Sequence, residues 1–223
     1  MFEALDRGMS ASRAFSHPLL AAMRSDESSP DGVRGFAVQW YKAATAHKKA
    51  FPGLVYNIKD DEVRLGLIDI LHEEYGFGEL ANVHARLLGR FLVALGIDTC
   101  DADRADAAKG VAYFSTEVDK AWVSAHPDFA YGVHYALEFL AANMHKAFYA
   151  NVSRLGLADD AVIYFKLHST VEVEHAAKAR RGLELLGTDD ETRKRLADGV
   201  ERGTQLVESL LDGLEEAYRG TLH

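Results

Sequence analysis

Three residues carry the first chemical signal. His168, Glu172 and His175 lie in the run Lys166-Leu167-His168-Ser169-Thr170-Val171-Glu172-Val173-Glu174-His175-Ala176. Steps of four and three suit a helix, and at about 100° per residue they keep the three side chains within roughly 40° of one line. The same line continues through Tyr164 and Phe165 before it and Ala179, Leu183 and Leu186 after it. A stripe that should pack in a core therefore holds two imidazoles and a carboxylate. Such groups are costly to bury side by side unless something satisfies them. A divalent metal does so, and sets of His and carboxylate suit iron, manganese or zinc. The competing reading is a wet groove in which these groups hydrogen-bond one another; three of them on one apolar stripe favour the metal.

Two further segments supply partners. Glu138 is the only acid between Phe129 and Ala158, in a stretch that is apolar on most of its circumference. Ala141 and Ala142 leave room beside it, so it is expected as a ligand rather than as a surface partner of Lys146. Glu74 follows Leu67, Ile70 and Leu71 at seven, four and three residues, on the apolar face, whereas Glu73 shares its face with Gly66 and Asp69 and is predicted to face water. His84 falls among Leu80, Ala81, Leu87, Leu88 and Phe91. On one straight helix Glu74 and His84 would point about 80° apart, so Gly76 and Gly78 are expected to kink the chain. The sum is Glu74, His84, Glu138, His168, Glu172 and His175. These are the ligands of a carboxylate-bridged dinuclear site inside a helical bundle.

The elements that must position them read as helices. The four prolines stand at 18, 30, 52 and 127, and apolar residues recur at the helical period with little alternation. Seven helices are predicted. The first covers 2–24, interrupted near Pro18, and Ser28 to Gly32 forms a loop. The second runs from Val33 to about Lys49 and ends at Pro52-Gly53. The third runs from Asp60 to Gly96 with the disturbance at Gly76-Phe77-Gly78. The fourth is Asp101 to Ala125 and the fifth Phe129 to Leu155. The sixth is capped by Asp159 or Asp160 and stops at Gly187. The seventh opens on a capping box at Thr188-Asp189-Asp190-Glu191 and runs to Arg219. The expected architecture is an all-α bundle forming one domain over 1–223.

Composition bounds the partners. The 223 residues are 48% apolar and 26% charged, with a net charge of −9. That acidity disfavours nucleic acid and anionic membranes. No apolar run reaches the roughly 18 residues of a membrane span. Met1 to Arg7 lacks the basic-then-apolar pattern of a secretory signal. The single cysteine, Cys100, excludes an intramolecular disulfide framework, and a cytoplasmic location is expected.

With these residues in hand, the chain resembles the haem-oxygenase-like dimetal oxidases and oxygenases. Phe36-Ala37-Val38-Gln39-Trp40-Tyr41 with Phe51-Pro52 is similar to the family's second helix, and Glu73-Glu74-Tyr75-Gly76 with His84 to its third. Glu138 stands thirty residues before His168, a spacing like that of the family's central ligand. His168-x3-Glu172-x2-His175 is the most specific match, although the family usually carries Asp where this chain has Glu172. The resemblance implies a seven-helix haem-oxygenase-like fold holding two ferrous ions, with manganese as the other option. It further implies dioxygen as co-substrate and attack on a small molecule, with an external electron donor as a candidate partner. Lys166 and Lys178 are expected near the site, where they could hold a substrate carboxylate. That suits a small aliphatic amino acid, to be desaturated, cleaved or cyclised through a C–N bond, as in azetidine formation, within natural-product biosynthesis.

Other readings compete. One is a fatty-acid-directed diiron oxidase, and another a metal-free thiaminase-like or cofactor-synthase enzyme on the same fold. A third is a non-enzymatic interaction module. Cys100, flanked by Asp98 and Asp101 in an expected loop, is a poor nucleophile candidate. Trp40 and Trp122 are expected as packing residues. Tyr164 is also assigned to packing, with a redox-active role beside His168 as the alternative. His72, His134 and His145 are assigned to the surface or to support of the ligands. The charged tail should form an amphipathic helix with one solvated face, a candidate homodimer contact.

Overall fold

In the computed structural model, residues 1–25 and 29–220 are described. Ten α-helices occur among them, and no strand. In chain order they are α1 (Phe2–Ala11), α2 (Pro18–Arg24), α3 (Pro30–Asn57), α4 (Asp61–Glu74), α5 (His84–Ala94), α6 (Thr99–Arg104), α7 (Lys109–Ser124), α8 (Pro127–Val152), α9 (Asp159–Leu186) and α10 (Asp190–Tyr218). The all-α expectation holds. The count exceeds seven because three expected helices are each broken in two.

Each break has a local cause. The first helix splits because the His17 ring accepts from the Leu19 amide and starts α2 afresh, with Pro18 in its first turn. The fourth splits into α6 and α7 around buried Gln39 of α3. Its side-chain amide donates to the Asp106 carbonyl at 2.9 Å, and its oxygen accepts from the Ala108 amide at 2.8 Å. Cys100 consequently sits in the first turn of α6, exposed, rather than in a loop. The Asp98 carboxylate bonded to its thiol, with the charges around it, pushes the thiol pKa up. The third breaks where expected. Gly76, Phe77 and Gly78 all take positive φ, and 3-10 turns at Gly76–Gly78 and Leu80–Asn82 carry the chain from α4 to α5. A side chain at Gly76 would lie 2.6 Å from the Asn82 backbone, so both the conformation and the space call for glycine there.

Several boundaries differ from expectation. Ser29 caps α3 by accepting from the Gly32 amide at 3.0 Å, so Pro30 to Gly32 is helix rather than loop; Ser28 lies outside the described residues. Pro52-Gly53 does not end α3. The proline forfeits one backbone bond, but buried Phe51 and Leu54 anchor the next turn, and Asn57 donates to the Trp122 carbonyl at 2.7 Å. Ala158 occupies the cap position of α9, leaving Asp159 and Asp160 in the first turn, where the helix dipole favours acids. Asp189, not Thr188, caps α10, accepting from the Thr192 amide at 2.9 Å.

The longest helices make the core. α8 is buried on nearly every side and packs chiefly against α9 and α10. Its close approach to α10 depends on a glycine pair. A methyl group at Gly132 would stand 2.2 Å from the Leu196 carbonyl oxygen, and one at Gly199 2.2 Å from that of Phe129. Phe36, Phe148, Phe91 and Phe165 pack edge to face at about 5 Å and tie α3, α5, α8 and α9 together. No helix among the described residues is long and apolar enough to cross a membrane.

Replacing Gly199 with Ala should force α8 and α10 apart and cost about 1–3 kcal/mol. Thermal unfolding should show a fall of several degrees, at about 2–4 °C per kcal/mol for a chain of this size. Gly66→Ala, on α4 with nothing within 4 Å of the added methyl, should leave the melting temperature unchanged or raise it.

Candidate metal centre

Four helices deliver the polar residues into one apolar cavity. Glu74 closes the last turn of α4, and His84 opens α5 across the kink. Glu138 lies mid-way along α8, and α9 presents His168, Glu172 and His175 on successive turns of its buried face. The space enclosed by these residues, counting its open mouth, is about 930 Å³. Trp40, Phe51, Leu137, Met144, Tyr164 and Leu210 are among its apolar walls.

The six residues chosen from sequence come together as two clusters. In the first, Glu74 Oε1 lies 3.0 Å from His84 Nδ1 and 3.3 Å from His168 Nε2. In the second, His175 Nδ1 lies 3.7 Å from Glu138 Oε2 and 3.8 Å from Glu172 Oε2. The ligand atoms of each trio fall within 4.8 Å of one another. Glu172 joins the clusters, with Oε1 3.9 Å from His168 Nε2. His168 Nδ1 is 3.0 Å from the Tyr164 carbonyl, to which it donates. That bond turns Nε2 toward Glu74.

Sequence reasoning misplaced three residues around this centre, Glu73, Lys166 and Lys178, while His145 stands where a support of the ligands was one of the two expectations. Glu73 does not face water; its Oε2 is 3.1 Å from His175 Nε2 and its side chain is only 14% exposed. Adjacent acids at the end of α4 both turn inward because α9 crosses them. Glu73 meets His175 and Glu74 meets His168, seven residues and about 10 Å apart along that helix. His145 is wholly interior, with Nδ1 3.2 Å from Glu172 Oε1 and its ring 4.8 Å from that of His168. Its position seven residues after Glu138, two turns along the same face, was the available signal. Lys166 is exposed and Lys178 pairs with Glu174 at 3.0 Å, so neither reaches the cavity. The lysine that lines it is Lys48, beside His47, which follows Phe36, Trp40 and Ala43 on one stripe of α3.

Electrostatics separate the carboxylates. Burial would raise Glu74, but hydrogen bonds from His168 and His84 outweigh it and hold that carboxyl well below its usual range. Burial raises Glu138 against the opposing pull of His175. Burial raises Glu172 further, and the charges of Glu138 and Glu74 add to the effect. Among the described residues no Lys or Arg lies within ion-pair distance of Glu73, Glu74, Glu138 or Glu172. Imidazoles are their only basic neighbours, and His145 Nε2 is buried without a partner. Nitrogen and oxygen donors gathered this way, with no thiolate, fit iron, manganese or zinc.

Comparisons with known proteins follow this geometry. The sequence pattern of the family described as iron-containing redox enzymes matches residues 34–208. The chain belongs to this family. It is thus an oxidoreductase of an iron-using family with a haem-oxygenase-like fold. It is also similar to 4-chloro-allylglycine synthase of Streptantibioticus cattleyicolor, 22% identical over 204 residues covering 92% of this chain and 78% of that protein. Among solved structures, a TenA homologue from Pseudomonas syringae superposes with a TM-score of 0.79 at 16% identity, covering 96% of this chain and 92% of the other. A haem-oxygenase-like domain of unknown function from Shewanella denitrificans gives 0.76 at 15% identity, with coverages of 98% and 94%. At such identities the structural likeness speaks for the fold alone.

Loss of hydration holds two imidazoles neutral: His47, at the cavity wall, is lowered from 6.5 to about 4, and fully buried His134 to about 3. The unfolded chain binds protons at these rings near pH 6.5, before the folded chain does. Their contribution to stability is therefore complete above that pH and is lost as pH falls toward about 4. In metal-free protein the melting temperature of a His47→Gln/His134→Gln variant should drop less than that of the wild type between about pH 7 and about pH 5. Equal drops would mean that neither ring is held neutral by the fold.

Proposed function

We propose that the protein is a non-haem diiron oxidoreductase that uses dioxygen to attack a small aliphatic amino acid. The observation that carries this reading is the pair of His-and-carboxylate clusters sharing Glu172. Glu74, His84 and His168 would hold one ion, and Glu138, Glu172 and His175 the other. Ferrous ions at such a site supply the electrons that activate dioxygen for cleavage of a C–H bond.

The remaining roles belong to the chain itself. Glu73 accepts from His175 Nε2 and so turns Nδ1 of that ring toward Glu138 and Glu172. Tyr164 fixes His168 twice, through its carbonyl and through a ring stacked 4.1 Å from the imidazole. Supports of this kind set tautomer and ring orientation at metal sites. Glu172 carries one methylene more than the Asp common at this position, a longer arm that lets one carboxylate serve both clusters. The apolar walls exclude water from the reacting centre. Similarity to a synthase of an amino acid supports an amino acid as substrate.

Anaerobic loading with ferrous salt followed by iron analysis should give about two ions per chain, and His168→Ala or Glu138→Ala should each lose about one. The loaded wild type should then consume dioxygen faster when a matching aliphatic amino acid is present. Iron near zero in wild type and variants alike would end this reading.

A further inference from the structure

One cavity-lining side chain carries a fixed positive charge. Lys48 reaches the site from α3, and its Nζ donates to the Glu74 carbonyl oxygen at 3.2 Å. The same ammonium lies 4.2 Å from the centre of the Tyr75 ring. These contacts occupy one of its three donors and one face. No carboxylate among the described residues comes within 4.0 Å of it. The Glu74 side chain turns instead to His84 and His168. Lys120 pairs with Glu117 at 2.8 Å and Lys178 with Glu174 at 3.0 Å, whereas Lys42, like Lys48, donates to backbone carbonyls but lies away from the cavity. Lys48 is thus a partly desolvated cation at a cavity, with donors to spare and no anion of its own.

The wall around it has the opposite character. Ala43, Ala44, Phe114, Leu137, Met144 and Leu210 offer no polar side-chain atom to a ligand. A molecule matching both features has an anionic end and an uncharged aliphatic body. We propose that Lys48 binds the carboxylate of the substrate while the apolar wall holds an aliphatic chain that bears no positive charge. The inference rests on the reading above that this cavity receives the substrate. It assigns the substrate's carboxylate to Lys48 and its chain to the apolar wall, an arrangement that takes the chemistry shared by aliphatic amino acids and short fatty acids. A free Lys48 ammonium is the complement of such a group, since a charge-assisted bond out of bulk water is among the stronger single contacts a site can offer.

Calorimetric binding tests this with L-norleucine, hexanoate, hexanamide, L-lysine and pentylamine, on anaerobic ferrous-loaded protein and on iron-free protein. The wild type should bind norleucine, hexanoate or both more tightly than hexanamide, L-lysine or pentylamine. Lys48→Gln and Lys48→Met should weaken the carboxylates roughly tenfold to a hundredfold. Lys48→Arg, which keeps the charge, should lose much less, and pentylamine binding should not weaken in any variant. Preference for norleucine marks an amino acid as the substrate type, and preference for hexanoate a fatty acid. Equal affinity for carboxylates in wild type and Lys48→Gln would overturn the proposal, as would failure of both carboxylates to bind the wild type. Should the neutral variants fold poorly, the Lys48 Nζ resonance of iron-free wild type labelled with 15N-lysine decides the same question: it should shift with the carboxylate that binds and not with hexanamide, and an unmoved signal on binding overturns the proposal. Iron content measured on the same samples separates failure of the metal reading from failure of this one.

Discussion

Two buried and two half-buried carboxylates set against imidazoles, with no lysine or arginine among the described residues close enough to pair with them, are the constraint around which this molecule is arranged. Glu73, Glu74, Glu138 and Glu172 lie in a bundle whose other walls are aliphatic and aromatic. Leaving such groups ionised in a low-dielectric interior costs far more than a typical domain's net stability. The fold meets the cost unevenly. Glu74 is held ionised by two imidazoles, while Glu138 and Glu172 are pushed toward their neutral forms. The two divalent cations proposed for the clusters would resolve that imbalance in one step.

Helix geometry makes the convergence attainable. His168, Glu172 and His175 stand on one face of α9 at steps of four and three, so one rigid element places three candidate ligands. The centre of α8 faces this stripe because Gly132 and Gly199 let α10 close in on its far side. The α4–α5 pair meets it through the positive-φ turn at Gly76 to Gly78, which redirects the chain between Glu74 and His84. Each device is a backbone feature, and together they leave the polar residues little freedom to find other partners.

TenA homologues share the bundle over nearly the whole chain at 13–16% identity. The run from His168 to His175, with its facing acids, is what turns the same architecture into a candidate metal centre. Function here is a property of the site, and the bundle is the frame that holds it.

The helical class, the six converging residues and the need for a break between Glu74 and His84 could all be read from the amino-acid order. They depend on periodicity within single helices, and periodicity is a local property. The α9 stripe was legible for this reason, as was the position of Glu74 on the apolar face of α4. What lay beyond reach was set between helices. Glu73 turns inward because α9 crosses the end of α4, and His145 joins the cluster because two turns of α8 face α9. Lys48, not Lys166 or Lys178, lines the cavity because α3 runs beside the end of α4, where its Nζ meets the Glu74 carbonyl. Sequence alone established which faces were chemically unusual. Only the crossing of helices decided which atoms met, since the distance between two residues on different helices is encoded by neither.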